Sequence, residues 1–186
     1  AIYARYTDKI EPFGIDEAWL DVSCCANNIE EGRIVAEQIR NEVKSELGLT
    51  VSIGVSFCKI FAKLGSDLKK PDAVTCISRE NYKEKIWPLA ASEMIYVGKS
   101  TAKKLERYGI HTIGQLAQTP PFFLKEHFGV NGINLYNFAN GNGGLKVETD
   151  GYEPESQSIG HGTTARYDLS TNDEVHILIS ELSQEV

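Results

Sequence analysis

Two adjacent acids in an otherwise apolar segment are the residues of this sequence best suited to chemistry. Asp16 and Glu17 stand in the segment FGIDEAWLDV. An ionised carboxylate is costly to bury without a partner, so acids within a strand either face solvent or bind a cation. Carboxylate oxygens are the ligands that Mg²⁺ takes in nucleotide chemistry. The pair therefore indicates a divalent-metal site, with a solvated strand edge as the alternative.

The backbone sets one condition on that site. Neighbouring residues of a strand point to opposite faces of the sheet. Asp16 and Glu17 can serve one metal site only if the chain bends between them, or if backbone and side chain reach the site differently.

A second element downstream can position further charged groups. Residues 50–57 alternate as a strand does, and residues 58–71 carry apolar side chains at helical spacing until Pro71 ends the helix. The lysines of this stretch cannot all pack inward, so most of them face water or a phosphate. These lysines are Lys59, Lys63 and Lys70. An ordinary solvated helix face is the alternative.

The two segments together resemble a known family. GIDEAWLDVS, followed by SIGVSFCKIFAKLGSDLKKPDAV, is similar to the palm of Y-family (translesion) DNA polymerases, close to the bacterial polymerase IV-like branch. The resemblance implies that Asp16 and Glu17 are catalytic metal ligands and that Lys70, before Pro71, contacts the incoming triphosphate. Lys63 and Asp67 match motif positions that shape the same pocket.

The resemblance also implies the reaction and the partners. A Y-family enzyme adds deoxynucleotides to a primer 3′-hydroxyl by two-metal phosphoryl transfer, with carboxylates holding two Mg²⁺ ions and a lysine offsetting phosphate charge. The implied partners are primer-template DNA, deoxynucleoside triphosphates and a sliding clamp that binds a region beyond this C-terminus. No membrane partner is expected, and the implied location is cytoplasmic.

An intact family member carries more than this sequence does. It begins with a strand that bears another metal-binding aspartate and an aromatic sugar gate, followed by a fingers subdomain. This sequence reaches Asp16 almost at once. We therefore expect the 186-residue chain alone not to polymerise DNA, and robust Mg²⁺-dependent primer extension by it would contradict this expectation.

A second candidate site lies between residues 96 and 110, in the segment YVGKSTAKKLERYGI. The pattern predicts a turn at Gly98, a helix with Ser100 or Thr101 as its N-cap, and Gly109 at its end. Free N–H groups at a helix start bind phosphate, and nearby lysines add positive charge. The lysines are Lys99, Lys103 and Lys104.

This segment resembles the helix-hairpin-helix of the Y-family thumb, which grips the duplex backbone without reading bases. The resemblance implies DNA-backbone contacts at five residues, namely Gly98, Lys99, Ser100, Lys103 and Lys104. The sequence departs from the family pattern at one position, because Tyr96 stands where the first hairpin glycine is usual.

The expected fold is α+β. A partial palm with a mixed or antiparallel sheet spans residues 1–78, and a small all-helical thumb spans residues 79–147. A linker at residues 148–155 leads to an incomplete α/β little finger at residues 156–186. In that last part we predict a strand over residues 156–164 and a helix from about residue 173.

Charge is distributed unevenly, although the chain carries a net −7. Residues 59–107 hold 11 basic and 6 acidic side chains, a local +5 between two acidic blocks. This block contains the lysines that both candidate sites use, so the local charge fits phosphate binding. DNA affinity should be weak and strongly dependent on salt.

Two other functions stay open. A non-catalytic helix-hairpin-helix module that binds DNA would keep its activity without Asp16 and Glu17, whereas a polymerase palm would lose Mg²⁺ and nucleotide binding. A nucleotidyl cyclase shares a metal-binding palm, but it would lack the Lys70-Pro71 segment and the helical thumb. The four cysteines lack metal-ligand spacing, so reduced cytosolic thiols are expected.

Overall fold

The computed structural model describes residues 2–143, 146–149, 151–152 and 158–184. Two compact units form, residues 1–150 and residues 151–186. In the described part of the first unit, the strands are β1 (Ile10–Phe13), β2 (Glu17–Leu20), β3 (Ile53–Ser56) and β4 (Val74–Ile77). The α-helices there are α1 (Ile29–Leu47), α2 (Lys59–Leu68), α3 (Tyr82–Ile86), α4 (Lys99–Arg107), α5 (Ile113–Gln118) and α6 (Pro121–Ala139).

Strands β1 and β2 form an antiparallel hairpin. Phe13 pairs with Glu17, so residues 14–16 form the turn. Gly14 opens this turn at φ +71°, a conformation that glycine adopts without steric cost. Trp19 anchors the hairpin, because its ring lies 4.5 Å from that of Phe13 and its indole N–H donates to the Lys59 carbonyl at 3.2 Å.

Strands β3 and β4 pair in parallel, with α2 as the connection between them. The predicted strand at residues 50–57 is confirmed over Ile53–Ser56, and the predicted helix ends at Leu68, ahead of Pro71. α2 approaches β3 closely. A Cβ added to Gly54 would lie 1.8 Å from the Ala62 carbonyl oxygen, so only glycine fits there.

The α+β class is confirmed, but the strands do not join into one sheet. Over the described residues they form two separate two-stranded sheets. Side chains from β2, β3 and α1 line a common cavity of about 190 Å³, among them Leu20, Ile53 and Val35.

One hydrophobic core runs from α2 and β4 into the later helices. Phe61 and Ile77 pack in the same buried cluster as Leu105, Leu116 and Leu124. The Phe61 ring also stacks on Tyr82 at 5.3 Å. The predicted division between palm and thumb after residue 78 therefore crosses a continuous core, and this division stays a prediction.

The second unit contains α7 (Asn172–Gln184), which confirms the helix predicted there. The Glu174 carboxylate accepts from the backbone N–H groups of Ser170 and Thr171, so it caps the start of the helix. The strand predicted at residues 156–164 is wrong over residues 158–164, which are not in a strand; residues 156–157 lie outside the described residues. A strand needs a neighbouring edge for its backbone groups, and the described part of this unit offers none.

We found no helix, among the residues that the structure describes, with the length and apolar character needed to span a membrane.

Candidate active site and nucleic-acid interface

The acidic pair lies at the tip of the β1–β2 hairpin. Asp16 is the last residue of the turn and is exposed, whereas Glu17 is the first residue of β2 and is half-buried. The chain thus turns between the two acids, which meets the condition for both to serve one site. Within the described residues, Asp16 makes no hydrogen bond or ion pair, so its carboxylate oxygens are open to a ligand.

A chain of ion pairs connects this hairpin to the end of α2. Glu17 lies 3.1 Å from the Lys63 ammonium, which also contacts Asp67 at 2.7 Å. Asp67 in turn contacts the Lys70 ammonium at 2.7 Å. One connected group of ion pairs therefore contains four site residues predicted from the sequence, although the first and the last are 53 positions apart.

Lys63 is the centre of this chain, and its side chain is only 15% exposed. Burial lowers the pKa of Lys63, but hydrogen bonds from its ammonium to Asp67 and Glu17 outweigh burial and raise the pKa above its ordinary value. Burial raises the pKa of Asp67, while the Lys63 and Lys70 ammonium groups outweigh it and lower that pKa. Lys63 and Asp67 are therefore both charged at neutral pH.

The donor set at the hairpin fits Mg²⁺ as part of a coordination shell. Asp16 and Glu17 supply two hard carboxylates, and Mg²⁺ is usually held by one or two carboxylates together with substrate phosphates and water. Across the described ranges, three or more acids, histidines or cysteines do not converge on a common point. The two acids would thus need phosphate oxygens or further ligands to complete a metal site.

Lys59 differs from the other lysines of its stretch. Its side chain is 8% exposed and its ammonium lies 2.6 Å from Glu11, donates to the Lys146 carbonyl and covers the Trp19 ring at 4.7 Å. Lys59 therefore fixes the hairpin to α2 instead of facing phosphate. Sequence reasoning missed this pair, because its only signal is an acid on β1, and the partners are 48 positions apart.

The predicted helix start after residue 96 is present, as the first residues of α4. The N-cap is Gly98, and no side chain caps the helix, so Ser100 and Thr101 lie inside the first turn and the prediction that one of them is the N-cap is wrong. The physical reason is that the backbone is extended at Gly98 and helical from Lys99, so the helix has begun before Ser100 and Thr101. The predicted glycine end is confirmed, because Gly109 has φ +74° and its N–H donates to the Glu106 carbonyl at 2.9 Å.

The predicted DNA-contacting lysines divide into two kinds. Lys99 and Lys103 are exposed, and within the described residues neither makes a hydrogen bond or ion pair. Lys104 instead donates to the His127 carbonyl and lies 4.9 Å from the centre of the Phe128 ring, so it packs α4 against α6. Lys99 and Lys103 are the side chains free to meet a phosphate.

Tyr96 occupies the position of the missing hairpin glycine and adopts the backbone conformation of a glycine. Its φ is +70°, and the Val97 N–H closes the turn on the Met94 carbonyl at 3.1 Å. A turn with positive φ at its third residue favours glycine there. The hairpin thus keeps its shape despite the substitution, and the tyrosine ring is added to its surface.

Two segments of the chain match sequence profiles of known protein families. Residues 1–67 match the sequence profile of the impB/mucB/samB family, and residues 96–142 match that of the DNA polymerase-iota thumb domain. The chain is 49% identical over 185 residues to DNA polymerase IV of Acetivibrio thermocellus, covering 100% of this chain and 46% of that protein. It is 36% identical to DNA polymerase IV 1 of Bacillus subtilis, covering 100% of this chain and 44% of that protein.

Solved structures show the same relationship. The crystal structure of DinB from Sulfolobus solfataricus has a TM-score of 0.69 and 28% identity, over 78% of this chain and 43% of that one. A DinB family error prone DNA polymerase from the same organism has a TM-score of 0.71 and 27% identity, over 80% of this chain and 45% of that one. The chain spans about half the length of the curated relatives it matches. It belongs to the Y-family of DNA polymerases.

Proposed function

We propose that this chain carries part of the polymerising centre of a translesion DNA polymerase. The observation that supports this most strongly is the ion-pair chain from Glu17 through Lys63 and Asp67 to Lys70. It supports the proposal because it joins the acidic hairpin to Lys70, the lysine proposed to bind the triphosphate, and phosphoryl transfer to a primer needs both kinds of group.

Each residue of this centre has a defined part in the proposal. Asp16 and Glu17 would hold Mg²⁺, and two such ions, when bound, supply activation of the primer hydroxyl and neutralisation of the triphosphate charge. Lys70, whose side chain is 55% exposed, binds the phosphates of the incoming nucleotide. Lys63 and Asp67 are positioning residues, because they hold Glu17 and Lys70 through the ion pairs.

The α4 helix start supplies the contact to DNA. Its first N–H groups lack a side-chain cap and point outward from Gly98, next to the exposed Lys99 and Lys103. Such a surface binds a backbone phosphate without reading the base. The proposed substrates are therefore primer-template DNA and deoxynucleoside triphosphates.

The remaining features of the proposal extend to the longer protein. They are the division into palm, thumb, linker and little finger, the recruitment by a sliding clamp, and a cytoplasmic location, where bacterial DNA is replicated.

Primer extension tests the proposal directly. In a polymerase of the relatives' length that contains this segment, we expect Asp16→Asn and Glu17→Gln each to abolish Mg²⁺-dependent extension and lesion bypass while duplex binding persists. Lys69→Ala serves as a matched surface control that keeps activity. Full extension by the double acid variant would refute the polymerase assignment.

The exposed helix start also favours a second candidate, a DNA-binding module that works without the acids. Gly98→Ala separates the two functions, since a methyl group there obstructs a phosphate but meets no protein atom within 4 Å. If this variant loses duplex binding while both acids remain dispensable for every activity of the protein, the binding module is the correct assignment.

A further inference from the structure

A cavity of about 610 Å³ lies beside the phosphate-binding hairpin. The first turns of α4 form one wall, and residues of α6 on both sides of Gly129 form the other. α6 changes direction at Gly129, whose φ of 64° and ψ of −146° interrupt the helix, and this break separates its two halves. The volume is that of a small-molecule site.

The lining of the cavity has the chemistry that a nucleotide needs. The rings of Tyr96 and Phe138 lie 5.6 Å apart and provide a face on which a base can stack. The amides of Asn131 and Asn134 can donate to and accept from a base edge. None of the lining residues within the described ranges is acidic, so an anionic ligand is not repelled.

The end of the cavity nearest α4 suits a phosphate. Ser100 lies in the first turn of the helix, where backbone N–H groups are uncapped, and its hydroxyl lines the cavity. Lys104 lines the same wall and brings a positive charge, although its ammonium also donates to the His127 carbonyl. Hydroxyl, helix start and ammonium together favour a phosphate group at this end.

Tyr96 is the feature that distinguishes this cavity from a packing gap. The turn that the Val97 N–H closes accounts for the φ of +70° at Tyr96, but the residue is 58% exposed, so core packing does not account for the aromatic side chain there. Residues held in such conformations cluster at ligand-binding positions. The positive φ places the ring at the cavity, against Phe138.

We propose that this cavity binds one nucleotide, with its base stacked on Tyr96, its edge read by Asn131 and Asn134, and its phosphate held by Ser100 and Lys104. The nucleotide is either an unpaired nucleotide of a DNA strand held by the hairpin or a free nucleotide. This site is distinct from the acidic hairpin, and it does not depend on Asp16, Glu17 or a metal ion.

Fluorescence of 2-aminopurine tests the site in the 186-residue chain. Three probes separate the sources of the ligand: free 2-aminopurine nucleoside monophosphate, a duplex with one unpaired 2-aminopurine, and a fully paired duplex that contains the same base. Stacking on tyrosine should quench the first probe, the second or both, and leave the paired duplex unchanged. Quenching of one probe alone assigns the source.

Variants decide whether the quenching arises in this cavity. Tyr96→Gly suits the positive φ and should fold at least as well by circular dichroism, yet weaken the quenched complex at least tenfold. Asn134→Ala should weaken it severalfold, and Tyr96→Phe should retain it. Phe122→Ala is the matched control, because Phe122 is an exposed α6 aromatic, 72% accessible, outside the cavity.

Two results would overturn the site. One is the absence of quenching with both the free and the unpaired probe, and the other is quenching that survives Tyr96→Gly unchanged. Because the readout needs neither primer extension nor the acids, failure here is distinguishable from failure of the polymerase assignment.

Discussion

The Glu17 carboxylate and the Lys63 ammonium lie 3.1 Å apart, and they join the acidic hairpin to the helix that follows β3. The neighbouring pair of Glu11 and Lys59, at 2.6 Å, joins the same hairpin to the same helix. The Lys59 and Glu11 side chains are 8% and 25% exposed, and those of Lys63 and Glu17 are 15% and 35% exposed, so the first pair is the more buried. We therefore assign the Glu11–Lys59 pair to the stability of the fold and the Glu17–Lys63 pair to the proposed active site.

Replacing each of the two glutamates should show this difference between the ion pairs. Glu11→Gln leaves a buried ammonium without its counter-ion, so we expect it to lower the free energy of unfolding by about 1 to 3 kcal/mol. Glu17→Gln should change it by less than about 1 kcal/mol, since Lys63 keeps its ion pair with Asp67 at 2.7 Å. Urea unfolding of the 186-residue chain measures both values. A larger loss for Glu17→Gln than for Glu11→Gln would contradict this assignment.

Asp21 predicts a stability change in acid. Hydrogen bonds from Ser23, followed by the Lys9 ammonium, lower the pKa of Asp21 from 3.8 to about 2. Stability from this carboxylate is therefore fully present above pH 3.8 and is lost as the pH falls through about 2, and it amounts to at most about 2 kcal/mol. Asp21→Asn should destabilise the chain at pH 6 and have little effect near pH 2, as denaturant unfolding at both values would show.

Substitutions at the two partners of Asp21 provide a control for this prediction. Because Ser23 contributes more than Lys9, Ser23→Ala should reduce the acid-dependent loss of stability more than Lys9→Met does. A larger effect of Lys9→Met than of Ser23→Ala would mean that the Lys9 ion pair lowers the Asp21 pKa more than the Ser23 hydroxyl does.

An added methyl group should destabilise the protein much more at Gly54 than at Gly98. Gly54→Ala places a Cβ 1.8 Å from the Ala62 carbonyl oxygen, so β3 and α2 must separate, at a cost of about 3 kcal/mol or more. Gly98→Ala meets no atom within 4 Å and should cost about 1 kcal/mol or less. Thermal unfolding compares them, and equal midpoints would show that β3 and α2 are not in close contact.

Lys70 should act on the incoming nucleotide. In a polymerase of the relatives' length, Lys70→Ala should lower kcat/KM for a deoxynucleoside triphosphate by about tenfold or more, because it removes a charge-assisted phosphate contact. Lys69→Ala should change kcat/KM by less than about twofold, since Lys69 is exposed. Steady-state single-nucleotide insertion measures both. Loss of activity in both variants alike would indicate a nonspecific effect of charge.

Local patterns predicted the parts of this fold that local physics controls. The alternation before residue 58 and the helical spacing after it predicted β3 and α2, and the glycine at position 109 predicted the end of α4. The acidic pair was recognisable because charged residues are rare in an apolar strand. Each of these signals lies within about ten residues of sequence.

Features that depend on distant residues were not predictable. The burial of Lys59 depends on Glu11 and Lys146, and the division of the strands into two sheets depends on which edges meet. Residues 158–164 have strand-like composition but do not form a strand, because composition cannot supply a neighbouring edge. The positive φ of Tyr96 was not predicted, since a tyrosine gives no local signal for it.

The continuous core has a consequence for how a bound duplex would be placed. Trp19 ties the acidic hairpin to α2, Phe61 carries the packing into the cluster that also holds Leu105, and Leu105 belongs to α4. The packing of these side chains thus sets the spacing between the start of α4 and Asp16. A smaller side chain at Phe61 would loosen this packing and make the spacing less defined.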